Sequence, residues 1–319
     1  MRSLLMGLAA SALLCAACQP SSNETDETGE TEAPVETGTA ASEDTEADMD
    51  EAETETAEVT WPDAPVDLVQ LWTLDGFSAP EGVALAPDGN YFISNVSGNG
   101  DEADGTGWIS KISPFGEMLE QEFATGLDAP KGMVVDRGLL YVADINKIRV
   151  INSSDGSLLK TINIDGADFL NDMTAWNATV LASDSGTGRI YSLSGDVVDI
   201  WLEDERLAGA NGLLPDGDRL LIATMSSGSL YEVTEAKQLN ELASGMENAD
   251  GIAIIDGGYL VSSWPGQIFH VSNAGEVSRV LDTRARATFQ NDLTFLNDTV
   301  IVPNWMPGTV TAWRIDKGS

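Results

Sequence analysis

A short motif recurs six times along this chain, and no other feature constrains its fold so tightly. One turn-forming or charged residue is followed by Gly or Asp and then by apolar positions. The copies are Glu81-Gly82-Val83, Lys131-Gly132-Met133, Asn171-Asp172-Met173, Asn211-Gly212-Leu213, Asp250-Gly251-Ile252 and Asn291-Asp292-Leu293. The steps between them are 50, 40, 40, 39 and 41 residues. A period of about 40 residues marks a supersecondary unit that cannot bury its apolar face alone and must stack on its neighbours. Each copy is followed by a second short apolar run, at 91–94, 140–143, 180–183, 220–224, 259–262 and 300–303. A third follows at 109–112, 148–151, 189–193, 229–233, 267–271 and 309–313, and a fourth, more polar run closes five units, for example at 158–164 and 197–202. Four short strands per unit, separated by Asp-Gly and Asn-Gly turns, predict propeller blades. The expected fold class is all-β, a six-bladed β-propeller.

The termini fit that reading. The sixth unit ends after its third run, while the stretch 68–74 has the character of a fourth strand and no unit of its own. An N-terminal strand can therefore complete the last blade and close the ring without an open edge. The long first step also has a local cause, because the connection 95–107 carries the acidic, glycine-rich insert GNGDEADGTG. It reads equally as a lid, a second cation site or a variable surface loop.

Ahead of the repeats the composition changes. Arg2, the apolar run 4–14 and the small pair Ala16-Ala17 lead to Cys18, a run too short to span about 30 Å of hydrocarbon. The segment LLCAAC resembles a bacterial lipoprotein signal, which implies a signal peptide over 1–17 and lipidation of Cys18; ordinary secretion with cleavage near Ala17 is the alternative. Gln19 after that cysteine implies an outer-membrane anchor facing the periplasm. Residues 19–60 contain fifteen Asp or Glu and no Lys or Arg, with no apolar period to offset the entropy of ordering, so 18–65 is expected to be a disordered acidic tether. As a flexible coil it would reach roughly 35–40 Å. The propeller itself is expected over 66–319, without a disulfide, since both cysteines lie in the leader. It retains 36 acidic against 15 basic residues, a balance that argues against a nucleic-acid partner and tolerates cations or neutral substrates.

In a propeller the first strand of each blade is innermost, so the residues that open it meet around one end of the central channel. Those are Glu81, Lys131, Asn171, Asn211, Asp250 and Asn291. Two carboxylates and three amides are hard oxygen donors, suited to Ca²⁺ with its six to eight oxygens at about 2.3–2.6 Å. They are ill suited to zinc, and the one histidine, His270, falls in a third strand. Asn, Asp and Gly also start strands for turn reasons alone; Glu81 has no such virtue. Lys131 opposes a metal unless Asp172, Asp144 or a bound anion pairs with it. Connections after the second strand place Asn95, Asp144, Asp184, Trp264 and Trp305 near the same opening, where the tryptophans either wall a substrate site or pack between blades.

These motifs resemble the gluconolactonase and regucalcin-like propellers, kin to diisopropyl-fluorophosphatase and the paraoxonases, over residues 66–319. That family holds its metal with a Glu in blade one, an Asn in blade three, an Asn in blade four and an Asp in blade five. The resemblance implies Glu81 in APEGVALAPDG, Asn171 in LNDM, Asn211 in ANGLLPDG and Asp250 in ADGIAI as ligands of Ca²⁺ or another divalent cation. Met173 stands where the family has glycine, and Lys131 occupies the blade-two position. The implied activity is a calcium-dependent lactonase or ester hydrolase with Asp250 as the catalytic group and a small-molecule lactone or ester as substrate. Lys131, Asp144, Asp184, Trp264, Asn291 and Trp305 are expected to line the substrate site. The competing expectation is a non-catalytic, envelope-anchored binding propeller for a peptide, glycan or protein partner, with at most a structural metal.

Overall fold

In a computed structural model the described residues are 60–296 and 298–317. The expected leader, Cys18 and most of the acidic tether lie outside them. The described residues form 25 strands and two short 3₁₀ turns, Glu205–Leu207 and Arg284–Arg286. After β1 (Asp67–Asp75), blade one is built from β2 (Pro80–Leu85), β3 (Tyr91–Asn95), β4 (Gly107–Ile112) and β5 (Met118–Leu127). Blade two follows with β6 (Pro130–Asp136), β7 (Leu139–Asp144), β8 (Lys147–Asn152) and β9 (Leu158–Asn163), and blade three with β10 (Leu170–Trp176), β11 (Thr179–Asp184), β12 (Arg189–Ser194) and β13 (Val197–Glu203). Blade four holds β14 (Ala210–Asp216), β15 (Arg219–Thr224), β16 (Ser229–Thr234) and β17 (Leu239–Ala243). Blade five holds β18 (Ala249–Ile255), β19 (Gly258–Ser263), β20 (Gln267–Ser272) and β21 (Val277–Asp282). In blade six the inner strand is interrupted into β22 (Phe289–Gln290) and β23 (Thr294–Leu296), both against β24 (Thr299–Met306), which pairs with β25 (Thr309–Asp316).

The predicted closure is present. β1 pairs antiparallel with β25, from Asp67 opposite Asp316 to Asp75 opposite Thr309, and supplies the outermost strand of blade six. Neighbouring inner strands touch from β2 through β6, β10, β14 and β18 to β23, and β24 of blade six completes the circuit against β2. The six-bladed ring is complete.

Blades packed on both faces have no solvent side, and this explains the sequence of their middle strands. In β3 all five residues are buried: Phe92 packs toward blade two, while Tyr91 and Ile93 pack toward blade six. Such strands read as continuous apolar runs, whereas the outer strands β5 and β9 keep exposed positions. The core is accordingly divided into six wedges, one per blade interface. The wedge between blades four and five gains an edge-on contact of Trp61 with Phe269, ring centroids 4.9 Å apart.

Every inner strand is irregular where it carries the repeated motif. In blades one to five the register slips just there, between Pro80 and Val83, Pro130 and Met133, Leu170 and Met173, Ala210 and Leu213, and Ala249 and Ile252. Each slip is a β-bulge, which turns two successive residues toward the axis and bends the strand. In blade six the same place is the interruption between β22 and β23.

Candidate metal centre at the channel mouth

The bulges bring the six motif residues to one end of the channel, here called the mouth. All six are buried: Glu81 at 8%, Lys131 at 3%, Asn171 at 4%, Asn211 at 3%, Asp250 at 4% and Asn291 at 5% exposure. The glycines after four of them permit this convergence. A Cβ on Gly82 would stand 2.7 Å from the carbonyl oxygen of Lys131, and one on Gly212 2.2 Å from that of Asp250. Adjacent inner strands approach each other at bare backbone.

Hydrogen bonds orient the oxygens. The Asn171 Nδ2 donates to Ser185 Oγ at 3.0 Å, and that hydroxyl donates onward to the Ala210 carbonyl at 2.6 Å. A hydroxyl already donating can only accept from the amide, so the Asn171 side chain has one orientation and Oδ1 is its free end. Asn171 Oδ1 and Glu81 Oε2 are both buried without a hydrogen-bond partner. Buried oxygens in that state carry a desolvation penalty of about 1–3 kcal/mol, more when charged, unless a ligand satisfies them.

The sequence reading missed a second tier. The position after the ring residue is Gly in four blades and Asp in blades three and six, three blades apart. Asp172 accepts from its neighbour Met173 N–H and, across the blade boundary, from Leu213 N–H, both at 2.7 Å. Asp292 accepts from Leu293 N–H at 2.7 Å and from Val83 N–H of blade one. Their carboxylates also lie over glycines, because a Cβ on Gly132 would stand 2.3 Å from Asp172 Oδ1 and one on Gly251 2.2 Å from Asp292 Oδ1. Beyond this tier the channel widens to a cavity of about 590 Å³ lined by both aspartates and by Val83, Leu85, Met133 and Leu213. The signal was present in the alternation of Gly and Asp along the repeat.

Four buried carboxyls thus interact with one another, with the Lys131 ammonium among their charged neighbours. Burial first, then the charge of Asp250, lifts Glu81 well above the usual range, with Lys131 opposing. Burial and then Asp172 raise Asp250 to about 7. Asp172 is raised to about 7 by burial against its two N–H donors, and Asp292 is pushed well up by burial, Asp172 and Asp250. Burial and mutual repulsion thus favour the protonated forms, an imbalance that a bound cation would relieve. Among the described residues no three His, Cys, Asp or Glu side chains form a metal-holding group, so the candidate site depends on amide oxygens beside its carboxylates.

The Lys131 ammonium finds its hydrogen-bond partners outside the ring of oxygens. Its Nζ donates to the carbonyls of Gly100 at 2.5 Å and Ala129 at 3.1 Å, and lies 4.2 Å from the centroid of the Phe169 ring. Burial lowers its proton affinity, opposed by Glu81, Asp144 and Asp101.

Two residues expected at the substrate surface belong to the scaffold instead. Asp144 is fully buried and accepts from Asp128 N–H, Ala129 N–H and Arg149 Nε. Asp184, also fully buried, accepts from the N–H groups of Asp168, Phe169, Gly186 and Thr187. Both sit at the end of a second strand and satisfy the amides of the turn leading into their own blade, as Asn95 does for Ser78 N–H at 3.1 Å. Asn291 likewise ties blade six to blade one by donating to the Pro80 carbonyl at 3.1 Å. Trp264 and Trp305 do come together, edge to face at 6.2 Å, with Phe289 5.9 Å from Trp264; all three stay partly exposed. His270 is buried in β20, outside the ring.

No known family model and no curated protein matches the chain. Solved structures share its fold. A gluconolactonase from Xanthomonas campestris superposes with a TM-score of 0.59 at 16% identity, covering 78% of this chain and 89% of that one. A streptogramin B lyase gives 0.57 at 16% identity, over 79% and 97%. A catalytically inactive virginiamycin B lyase from Staphylococcus aureus with quinupristin gives 0.55 at 12% identity, over 78% and 98%. At these identities the likeness is one of fold.

Proposed function

We propose that this protein is a calcium-dependent lactonase or ester hydrolase whose centre is Glu81, Asn171, Asn211 and Asp250. The observation that carries the reading is the pair of unpartnered buried oxygens, Glu81 Oε2 and Asn171 Oδ1, in a ring whose carboxyls repel one another. A divalent cation with oxygen preference answers both deficits at once. The gluconolactonase among its structural neighbours is consistent with that chemistry, while the streptogramin B lyase shows that the fold also carries another activity. Bound calcium would supply Lewis acidity toward an ester carbonyl. Asp250 would be the residue to take a proton from water as general base. Trp264 and Trp305 offer an apolar wall on the blade five and six side. The proposal extends to a lipid anchor at Cys18 on the cell envelope, which mass spectrometry of the amino-terminal peptide tests directly.

Calorimetric titration of the metal-free protein with Ca²⁺ is the decisive measurement, beside a panel of lactones and esters. Binding that disappears in Glu81→Gln and hydrolysis that disappears in Asp250→Asn support the assignment. Binding without turnover leaves a structural metal in a binding propeller, and no binding at all refutes the centre.

A further inference from the structure

Two departures from the repeat meet at one point in the folded chain. The first step is 50 residues where the others are 39 to 41, and the second unit alone places a cation at the ring position. The extra residues lie in the 95–107 connection between β3 and β4, at the mouth end of blade one. Its two ends are tied down separately. Val96 and Ser97 donate backbone N–H groups to the Ala79 and Ser78 carbonyls at 3.1 Å each, and Gly105 N–H donates to Asp128 Oδ1 at 3.1 Å. Residues 101–104 between these anchors are exposed. The tip meets the ring lysine: the Gly100 carbonyl accepts from Lys131 Nζ at 2.5 Å, and a Cβ on Gly100 would touch the Phe169 ring at 3.6 Å. The connection therefore leaves blade one, reaches the ring residue of blade two and rests on the lead-in of blade three.

We propose that Lys131 is a latch that holds the 95–107 connection as a roof over the blade one to three side of the mouth, and that this roof restricts the site to compact substrates. A buried ammonium requires partners, and here two carbonyls and an aromatic face supply them. The ring position lets one side chain hold the tip from inside. With the aromatic cluster fixed on the opposite side, the width of the entrance is set by whether the tip stays down. Lactones or esters with small non-reacting groups pass beneath it; bulky ones enter only after the carbonyl–ammonium bond opens. Lys131 is thus a positioning residue, and only the choice of substrates rests on the function proposed above.

Lys131→Met keeps the apolar stem and removes the ammonium. In the full-length, metal-free protein, hydrogen exchange across 95–107 is expected to quicken about tenfold, the change that follows loss of one hydrogen bond to a charged group. The ratio of kcat/KM for an aryl-substituted δ-lactone to that for unsubstituted δ-valerolactone is expected to rise by a similar factor, about tenfold. A variant with residues 98–104 replaced by a two-residue turn should reproduce that shift with Lys131 intact, and Phe169→Leu should loosen the tip in the same sense. Unchanged exchange in Lys131→Met and Phe169→Leu overturns the latch. A loosened loop with an unchanged ratio overturns the size restriction. Exchange requires no turnover, so a protein that hydrolyses no lactone refutes the hydrolase reading while the latch is still judged on its own data.

Discussion

Asp250→Asn is expected to stabilise the metal-free protein above neutral pH while abolishing its response to calcium. Asp250 is 4% exposed, and burial together with Asp172 lifts its carboxyl from 3.8 to about 7. Between those values the folded protein holds a proton that the unfolded chain has released, so stability falls as pH rises through the window. Three decades of proton affinity at about 1.4 kcal/mol each amount to roughly 4 kcal/mol acting against the folded state by pH 8. The amide removes that ionisation and also relieves Glu81, whose second-largest perturbation is Asp250. For a domain of this size the gain corresponds to a midpoint higher by up to roughly 8–16 °C. Thermal unfolding of wild type and variant in chelator at pH 5 and pH 8, then with excess calcium, reads each part. The wild type should lose stability from pH 5 to 8 and recover with calcium, whereas the variant should lose less over that interval, since Asp172 still titrates there, and should not respond to calcium. A flat wild-type profile in chelator, or a variant less stable than wild type at pH 8, would show that the ring charges are already balanced within the protein.

Other perturbations probe separate links. Glu81→Gln should keep the fold and abolish the calcium-induced rise in midpoint, seen by calorimetry. Gly132→Ala should destabilise by about 1–3 kcal/mol or more in urea unfolding, as expected of overpacking, because its Cβ would stand 2.3 Å from Asp172 Oδ1. Asp144→Ala should lower stability by about 3–5 kcal/mol, since it strips Arg149 and two turn amides of their buried acceptor. Its KM for any substrate found should stay as in wild type, which checks that Asp144 is scaffold. Trp264→Ala should raise KM for substrates with apolar groups more than it lowers kcat.

Much of the architecture was readable because every blade has the same local needs. Turn residues, a bare-backbone glycine and short apolar runs recur at one period, and the leftover strand before Glu81 announced the closure by β1. The ring was readable for the same reason, since position in the repeat is position around the axis. Direction was not. Asp144 and Asp184 occupy mouth-side connections by count, but the unpaired amides of the following turn claim their carboxylates, a contest that residue type alone does not decide. That Asp172 and Asp292 form a second tier was not legible, because a bulge, invisible in a pattern of period two, turns the second motif residue inward as well as the first. The interruption in blade six had no sequence cue either: Asn291-Asp292-Leu293 resembles Asn171-Asp172-Met173, which lies within the continuous β10.

The pairing of β1 with β25 joins the two ends of the described ring. The first of its strands to be synthesised must wait unpaired until the last has been made, holding open a sheet edge for the whole interval. Such distant pairing favours slow, all-or-none assembly over blade-by-blade completion. A chain shortened by a few residues beyond Thr309 would forfeit the seal of the entire circle, so damage at the carboxyl end should be as disabling as the loss of a whole blade.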